Sequence, residues 1–230
     1  MKNKLPRNYL VALTLITAFC LITLLIRNLY EQNSTYNFLL WNLFLAFVPL
    51  ALAWLTYFFV GRANTVIIII FSLVWLLFYP NSPYMISDLI HVNSSSTIVL
   101  YDTLILFLFA MLALFYGFYS LKIIHLVYKK ITGTKIAHIV ILMAIVLSSA
   151  GIYLGRILRL NSWDLFTHPF RIMQIVLDHL FPITKNPTTY ILIFLFSAIQ
   201  FILLVMMKDL DEIEKHRLIS SEYARRQQLT

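Results

Sequence analysis

Six stretches of this chain are too long and too apolar to sit in water, and they limit what it can fold into. They are Leu10–Ile26, Phe38–Val60, Val66–Tyr79, Leu104–Leu121, Ile136–Leu154 and Tyr190–Met207. A helix needs about 20 residues to cross about 30 Å of hydrocarbon. Lipid supplies no hydrogen-bond partners, so each crossing segment must satisfy its own backbone, as a helix does. Five of the stretches are long enough. The third has 14 residues and stops at Pro80. It rises only about 21 Å and is expected to cross with help from the residues after it.

Composition removes the other fold classes. Hydrophobic residues are 60% of the 230 and charged residues 12%. A soluble domain has roughly 45–50% and about 25%, so a soluble enzyme and a disordered chain are both excluded. Cys20 is the only cysteine, which excludes a disulfide framework and a cysteine-based zinc site. No P-loop, dinucleotide, zinc-protease or nucleophile-elbow motif is present, and no repeat with a solenoid period is visible. The expected fold is an all-α, polytopic membrane helix bundle. A single transmembrane domain covers residues 1–207, with about six spans and an outer interfacial helix. A charged tail covers 208–230.

The net charge is +8. The cations flank the apolar runs instead of forming one dense stripe, so the expected partner is the lipid bilayer and not nucleic acid. Lys2, Lys4 and Arg7 precede the first span, but no small-residue cleavage site follows it, so it is read as a retained helix and not a signal peptide. With the N-terminus inside, the inner segments carry 13 Lys and Arg and the outer ones 5. Cytoplasmic lysines and arginines set orientation. The expected location is the cell membrane, with both termini cytoplasmic.

Small residues mark close helix packing. Ala110, Ala113, Gly117 and Ser120 line one face of the fourth span, and Ser148, Gly151 and Gly155 one face of the fifth. They are read as contacts inside one bundle. The sequence sets no oligomeric state. Pro169–Phe181 reads as an amphipathic helix with a polar stripe of Arg171, Gln174 and Asp178, lying on the outer interface. The tail alternates charge, with Asp211/Lys215 and Glu212/His216 four apart, as on a solvated helix.

Polar groups in or beside spans are costly, so their positions are informative. Asn42 opens the second span, and Pro49 inside it leaves the carbonyl of Leu45 without its usual donor. The third span ends in Tyr79-Pro80-Asn81-Ser82-Pro83-Tyr84. Ser82 is expected to cap a short helix begun by Pro83, with Asp88 and His91 on one face. Tyr101 and Asp102 open the fourth span. The fifth closes on Arg156 and Arg159, expected on one face, and is followed by Asn161, Ser162, Trp163, Asp164 and His168. The charge count places all of these but Pro49 at the outer ends of their helices. It also sets Arg156 and Arg159 opposite Asp88, Asp102 and Asp164.

Trp41-Asn42, Pro80-Asn81-Ser82-Pro83-Tyr84 with Asp88-Leu89-Ile90-His91, Tyr101-Asp102, and Gly155-Arg156 through Arg159, Asn161, Ser162, Trp163 and Asp164 carry a resemblance. Together they resemble a bacterial membrane protein family known as domain of unknown function 1361, over roughly residues 35 to 205. The family brings no established activity.

Three readings of the polar cluster stand open. One is a buried ion-pair network that fixes the bundle, in a protein that is a structural subunit of a larger complex. The second is an outward-facing site that binds or transports an anionic solute or lipid headgroup, with the arginines as its clamp. The third is a metal-assisted hydrolase or transferase at the outer face. Its candidate ligands are Asp88, His91, Asp102, Asp164 and His168, whose oxygen and imidazole donors suit zinc or manganese. No other cofactor is expected. His125 and His138, beside lysines at the inner side, read as interface residues. His179 and His216 have no visible partner in the sequence.

Single cysteines placed at Asn93, Lys185 and Lys130 in a Cys20-free chain test the orientation. An impermeant thiol reagent on intact cells is expected to label positions 93 and 185 and to leave 130 unlabelled. The reverse pattern inverts the assignment.

Overall fold

The computed structural model describes residues 7–92, 98–160, 164–180 and 187–206. All regular structure among them is helical. The long helices are α1 (Arg7–Glu31), α2 (Phe38–Phe59) and α3 (Thr65–Phe78). The chain then makes a short α4 (Asn81–Tyr84) and a 3-10 turn over Met85–His91. It continues through α5 (Val99–Thr132), α6 (Thr134–Ile157), the single turn α7 (Asp164–Thr167) and α8 (Pro169–Leu180). A last apolar helix, α9, covers Pro187–Met206. Six segments are long and apolar enough to cross a membrane, the third being the whole of Thr65–His91. The short third stretch therefore reaches spanning length by running through Pro80 into α4 and the 3-10 turn.

α5 is the central helix. Leu112, Ala113, Leu114, Tyr116, Gly117, Phe118, Tyr119, Ser120 and Leu121 are all buried, a run covering every face of the helix. It packs against α1, α2, α4, the 3-10 turn and α6. α1 and α2 keep outward rows exposed, including Leu15, Phe19, Ile22, Phe44 and Phe47, as lipid-facing helices do. α5 and α6 are joined by Gly133 alone, whose φ of 91° lies in the left-handed region open to glycine.

The small-residue faces explain how a broken helix fits inside. A methyl group on Gly117 would come 2.8 Å from Cβ of Ser82, and one on Gly151 2.8 Å from Cγ of Pro80. Tyr84 lies 3.5 Å from the corresponding position at Gly155. The glycines of α5 and α6 thus form the bed for the Pro80–Tyr84 segment. The G-x-x-x-G pattern of α6 serves packing within one chain.

The capping expectation for Ser82 is corrected. Ser82 lies inside α4 and makes no cap. Its hydroxyl donates to the carbonyl of Ala46, 2.9 Å away on α2. Ala46 is the neighbour of Leu45, whose carbonyl Pro49 leaves without its usual donor. A buried hydroxyl takes the acceptor that lies in reach, and here that acceptor is on another helix.

Gln200 ties α9 into the bundle by hydrogen bonds. Gln200 is buried and accepts from the Tyr79 hydroxyl at 2.9 Å and the Ser148 hydroxyl at 3.3 Å, while its amide donates to Ser149 Oγ at 2.9 Å. Such interhelical hydrogen bonds hold membrane helices together where burial of apolar surface drives nothing.

Gly151→Val and Gly117→Val are expected to lower unfolding stability in detergent by about 1–3 kcal/mol each, the usual cost of overpacking a tight contact. Thermal unfolding of the purified variants checks this. An unchanged midpoint for both would show that the Pro80–Tyr84 segment does not lie on these glycines.

Candidate functional site

The polar residues gather at the end of the bundle where α1 finishes and α2 begins, referred to below as the mouth. They form two clusters, each built round one buried aspartate.

The first cluster joins the third span to α6. Asp88 sits in the 3-10 turn and is 2% exposed. One carboxylate oxygen pairs with Nη2 of Arg156. The other accepts from Nδ2 of Asn42 at 2.8 Å. Arg156 also donates from Nε to Ser87 Oγ at 2.8 Å. Its Nη1 meets Nε2 of His91 at 3.1 Å, and its guanidinium lies 4.4 Å over the ring of Tyr84. A guanidinium has only donors, so His91 Nε2 is the acceptor and its ring proton sits on Nδ1. At three residues per turn, positions i and i+3 eclipse, which brings Asp88 and His91 to the same arginine. The His91 backbone carbonyl accepts from the Tyr36 hydroxyl at 3.2 Å, and its ring packs edge-on against Phe38 at 5.4 Å.

The second cluster joins α1 to α5. Asp102 is fully buried, and its Oδ1 receives Nε of Arg27 at 3.0 Å. Arg27 is 4% exposed. Its Nη1 also donates to the side-chain oxygen of Asn33, and its guanidinium lies 4.7 Å over the ring of Tyr36. The Tyr101 hydroxyl donates to the carbonyl of Thr23 at 3.0 Å and ties the same two helices. Asp102 Oδ2 is buried with no hydrogen-bond partner among the described residues.

Two expectations are corrected here. Asp102 does not face the arginines of α6; Arg27 is its partner, because α1 runs on to Glu31 and carries Arg27 to the level of Asp102. Arg156 and Arg159 do not share a helix face either. α6 ends at Ile157, and Arg159 turns into the left-handed region at φ 55°. Its side chain is exposed, and no ion pair or hydrogen bond of it is seen among the described residues.

The remaining candidates lie apart. Asn81 donates to the Phe78 carbonyl at 2.8 Å and closes the end of α3. Trp41 is exposed beside Phe44. Asp164 and His168 bracket α7, where the His168 N–H donates to the Asp164 carbonyl at 2.8 Å. The His168 ring is exposed and meets Thr167 Oγ1. Asn161, Ser162 and Trp163 lie outside the described residues. Among the described residues no three His, Cys, Asp or Glu side chains come together as a metal site would require. Of the candidate ligands, Asp88 and His91 are both engaged by Arg156.

Reading the sequence missed Arg27, Asn33, Tyr36 and Ser87. For Arg27 a signal was present. It is the one cation of the first outer connection, one residue past an apolar run, and it needed a carboxylate at its own depth. The Gln200 contacts also had a signal, a lone amide within an apolar span.

A family model described as protein of unknown function, DUF1361, matches residues 41–203. That match contains Asn42, Tyr84, Ser87, Asp88, His91 and Arg156 and leaves Arg27, Tyr36 and Phe38 outside. No curated protein matches the chain. No solved structure matches it.

Removing one partner of the Arg27–Asp102 pair leaves a buried charge uncompensated. Asp102→Leu or Arg27→Met alone is expected to cost about 3–5 kcal/mol, and the double variant clearly less than the sum. Unfolding midpoints and yields of the three variants measure it. Additive losses would count against the pairing.

Proposed function

The chain belongs to the DUF1361 family, a multi-pass membrane family whose description assigns no activity, and we propose that its mouth binds an anionic group, either a solute or a lipid headgroup. The observation that carries this reading is the unfinished coordination of Arg156. Its contacts to Ser87, His91 and Asp88 use three of its N–H groups, out of the five a guanidinium has. The side chain is 17% exposed, so the two remaining donors have a route to a ligand. Donors held in place in this way favour bidentate capture of a carboxylate or phosphate. Exposed His91 and Arg159 extend the polar rim around it. Asp88 and Asn42 then act beneath the rim, fixing the arginine and not touching the ligand. The Lys and Arg count turns this mouth away from the cytoplasm.

The second reading is a structural clamp in a subunit of a membrane complex. It is favoured by one specific observation: both carboxylate oxygens of Asp88 already have partners inside the chain.

Arg159→Gln separates the two. On the binding reading, inorganic phosphate or glycerol phosphate raises the thermal midpoint of the purified protein. Arg159→Gln keeps the ligand-free midpoint and loses most of that rise. Arg156→Gln lowers the ligand-free midpoint as well. If neither anion shifts the parent protein, the clamp reading stands.

A further inference from the structure

Arg156 and His91 meet at the rim of the mouth through two nitrogens, and the contact depends on which of them carry protons. Nη1 of Arg156 lies 3.1 Å from Nε2 of His91. A guanidinium nitrogen always bears hydrogen, so this is a hydrogen bond only while Nε2 is bare. A proton added to His91 places an N–H there. Two donors and two positive charges then face each other, and the contact turns from attractive to repulsive.

The two side chains differ in how firmly they are held. The His91 side chain is exposed, so water and protons reach the ring. It rests edge-on against Phe38 at 5.4 Å. Arg156 is fixed along its other edge by Ser87 and Asp88, with the ring of Tyr84 beneath it.

No carboxylate forms an ion pair with His91 among the described residues. From its own turn Asp88 is nearest in sequence, and its two oxygens are taken by Arg156 and Asn42. From α2 come the ring of Phe38 and the amide of Asn42, neither of which titrates. Ahead of α2, the Tyr36 hydroxyl donates to the His91 carbonyl. From α4, Tyr84 lies under the guanidinium of Arg156. From α5, Tyr101 bonds to Thr23 and Asp102 to Arg27, both on α1. Residues 93–97 and 161–163 contain no Asp or Glu.

An anion relieves the repulsion. An oxygen placed between Nη1 and Nε2 accepts from both. Release of Nη1 from the ring also adds a third donor to the two that Arg156 already offers. We propose that acid strengthens anion binding at the mouth, because protonation of His91 frees Nη1 of Arg156 and makes the imidazole a second cationic donor to the same oxyanion. This rests on the mouth binding an anion, and gives that site its regulation. The anion stabilises the protonated ring, so each promotes the binding of the other. Affinity therefore rises as pH falls through the range in which imidazoles gain a proton, and falls as pH rises through it. On the orientation given by the Lys and Arg count, the ring samples the pH outside the cell.

The test uses the full chain in a neutral detergent with sulfate as the probe. Sulfate keeps its charge over the range needed, whereas phosphate esters change theirs near about pH 6. The thermal midpoint is followed during sulfate titrations at about pH 8 and about pH 5.5, with chloride at matched ionic strength as the control for screening. The sulfate concentration giving half the rise is expected to be roughly fivefold or more lower at the acid pH. In His91→Gln the amide oxygen can accept from Arg156 but takes up no proton, and most of that change is expected to vanish. His168→Gln, whose imidazole lies apart from the rim, is expected to keep it. Calorimetry on the parent protein, in two buffers of different ionisation heat, gives a reading that needs no variant to fold. Net proton uptake with sulfate between these pH values supports the proposal, and its absence overturns it. A sulfate effect equal at both pH values, or a pH dependence that persists in His91→Gln, overturns the acid strengthening alone and leaves the mouth reading standing. No sulfate effect beyond that of chloride at either pH overturns both.

Discussion

Two carboxylates buried at one end of an apolar bundle constrain everything around them. Asp102 is fully buried and Asp88 nearly so. A charge in that position persists only with a counter-charge and hydrogen bonds beside it. Each aspartate is answered by an arginine from a different helix, Arg27 from α1 and Arg156 from α6. The two pairs therefore join four elements: α1 to α5, and the end of the third span to α6. Apolar packing alone does not choose among helix neighbours in lipid, because the lipid tails are as apolar as the side chains. The ion pairs supply that choice at the mouth, and Gln200 supplies it for α9.

The third span changes helix type along its length. Its α-helix stops at Phe78, and α4 and the 3-10 turn carry Asp88 to Asn42 and Arg156. The turn fits because Gly117 and Gly151 have no side chains where Ser82 and Pro80 lie. Glycine in a helix costs about 1 kcal/mol against alanine. Here the two glycines are what let a charged segment lie within the bundle. Discontinuous helices with functional groups at the break are a recurrent way of placing sites in membrane proteins, and the proposal for Arg156 follows from the same arrangement.

Hydropathy and length alone determined that the chain is an all-helical membrane bundle with six crossing segments, because a span must be apolar over about 20 residues whatever it packs against. Local chemistry likewise determined that Pro80 ends the third stretch and that Asp88 and His91 share a face. Partner choice was different. That Asp102 belongs to Arg27, that Arg156 and not Arg159 reaches Asp88, and that Ser82 bonds to Ala46 depend on where helix ends fall and which helices are neighbours. Arg159 shows this most plainly. Its spacing from Arg156 promises one face, but α6 stops two residues earlier and the backbone turns left-handed. Side-chain periodicity holds only while the helix continues. Where it stops, and what then lies within hydrogen-bond reach, was decided by tertiary packing.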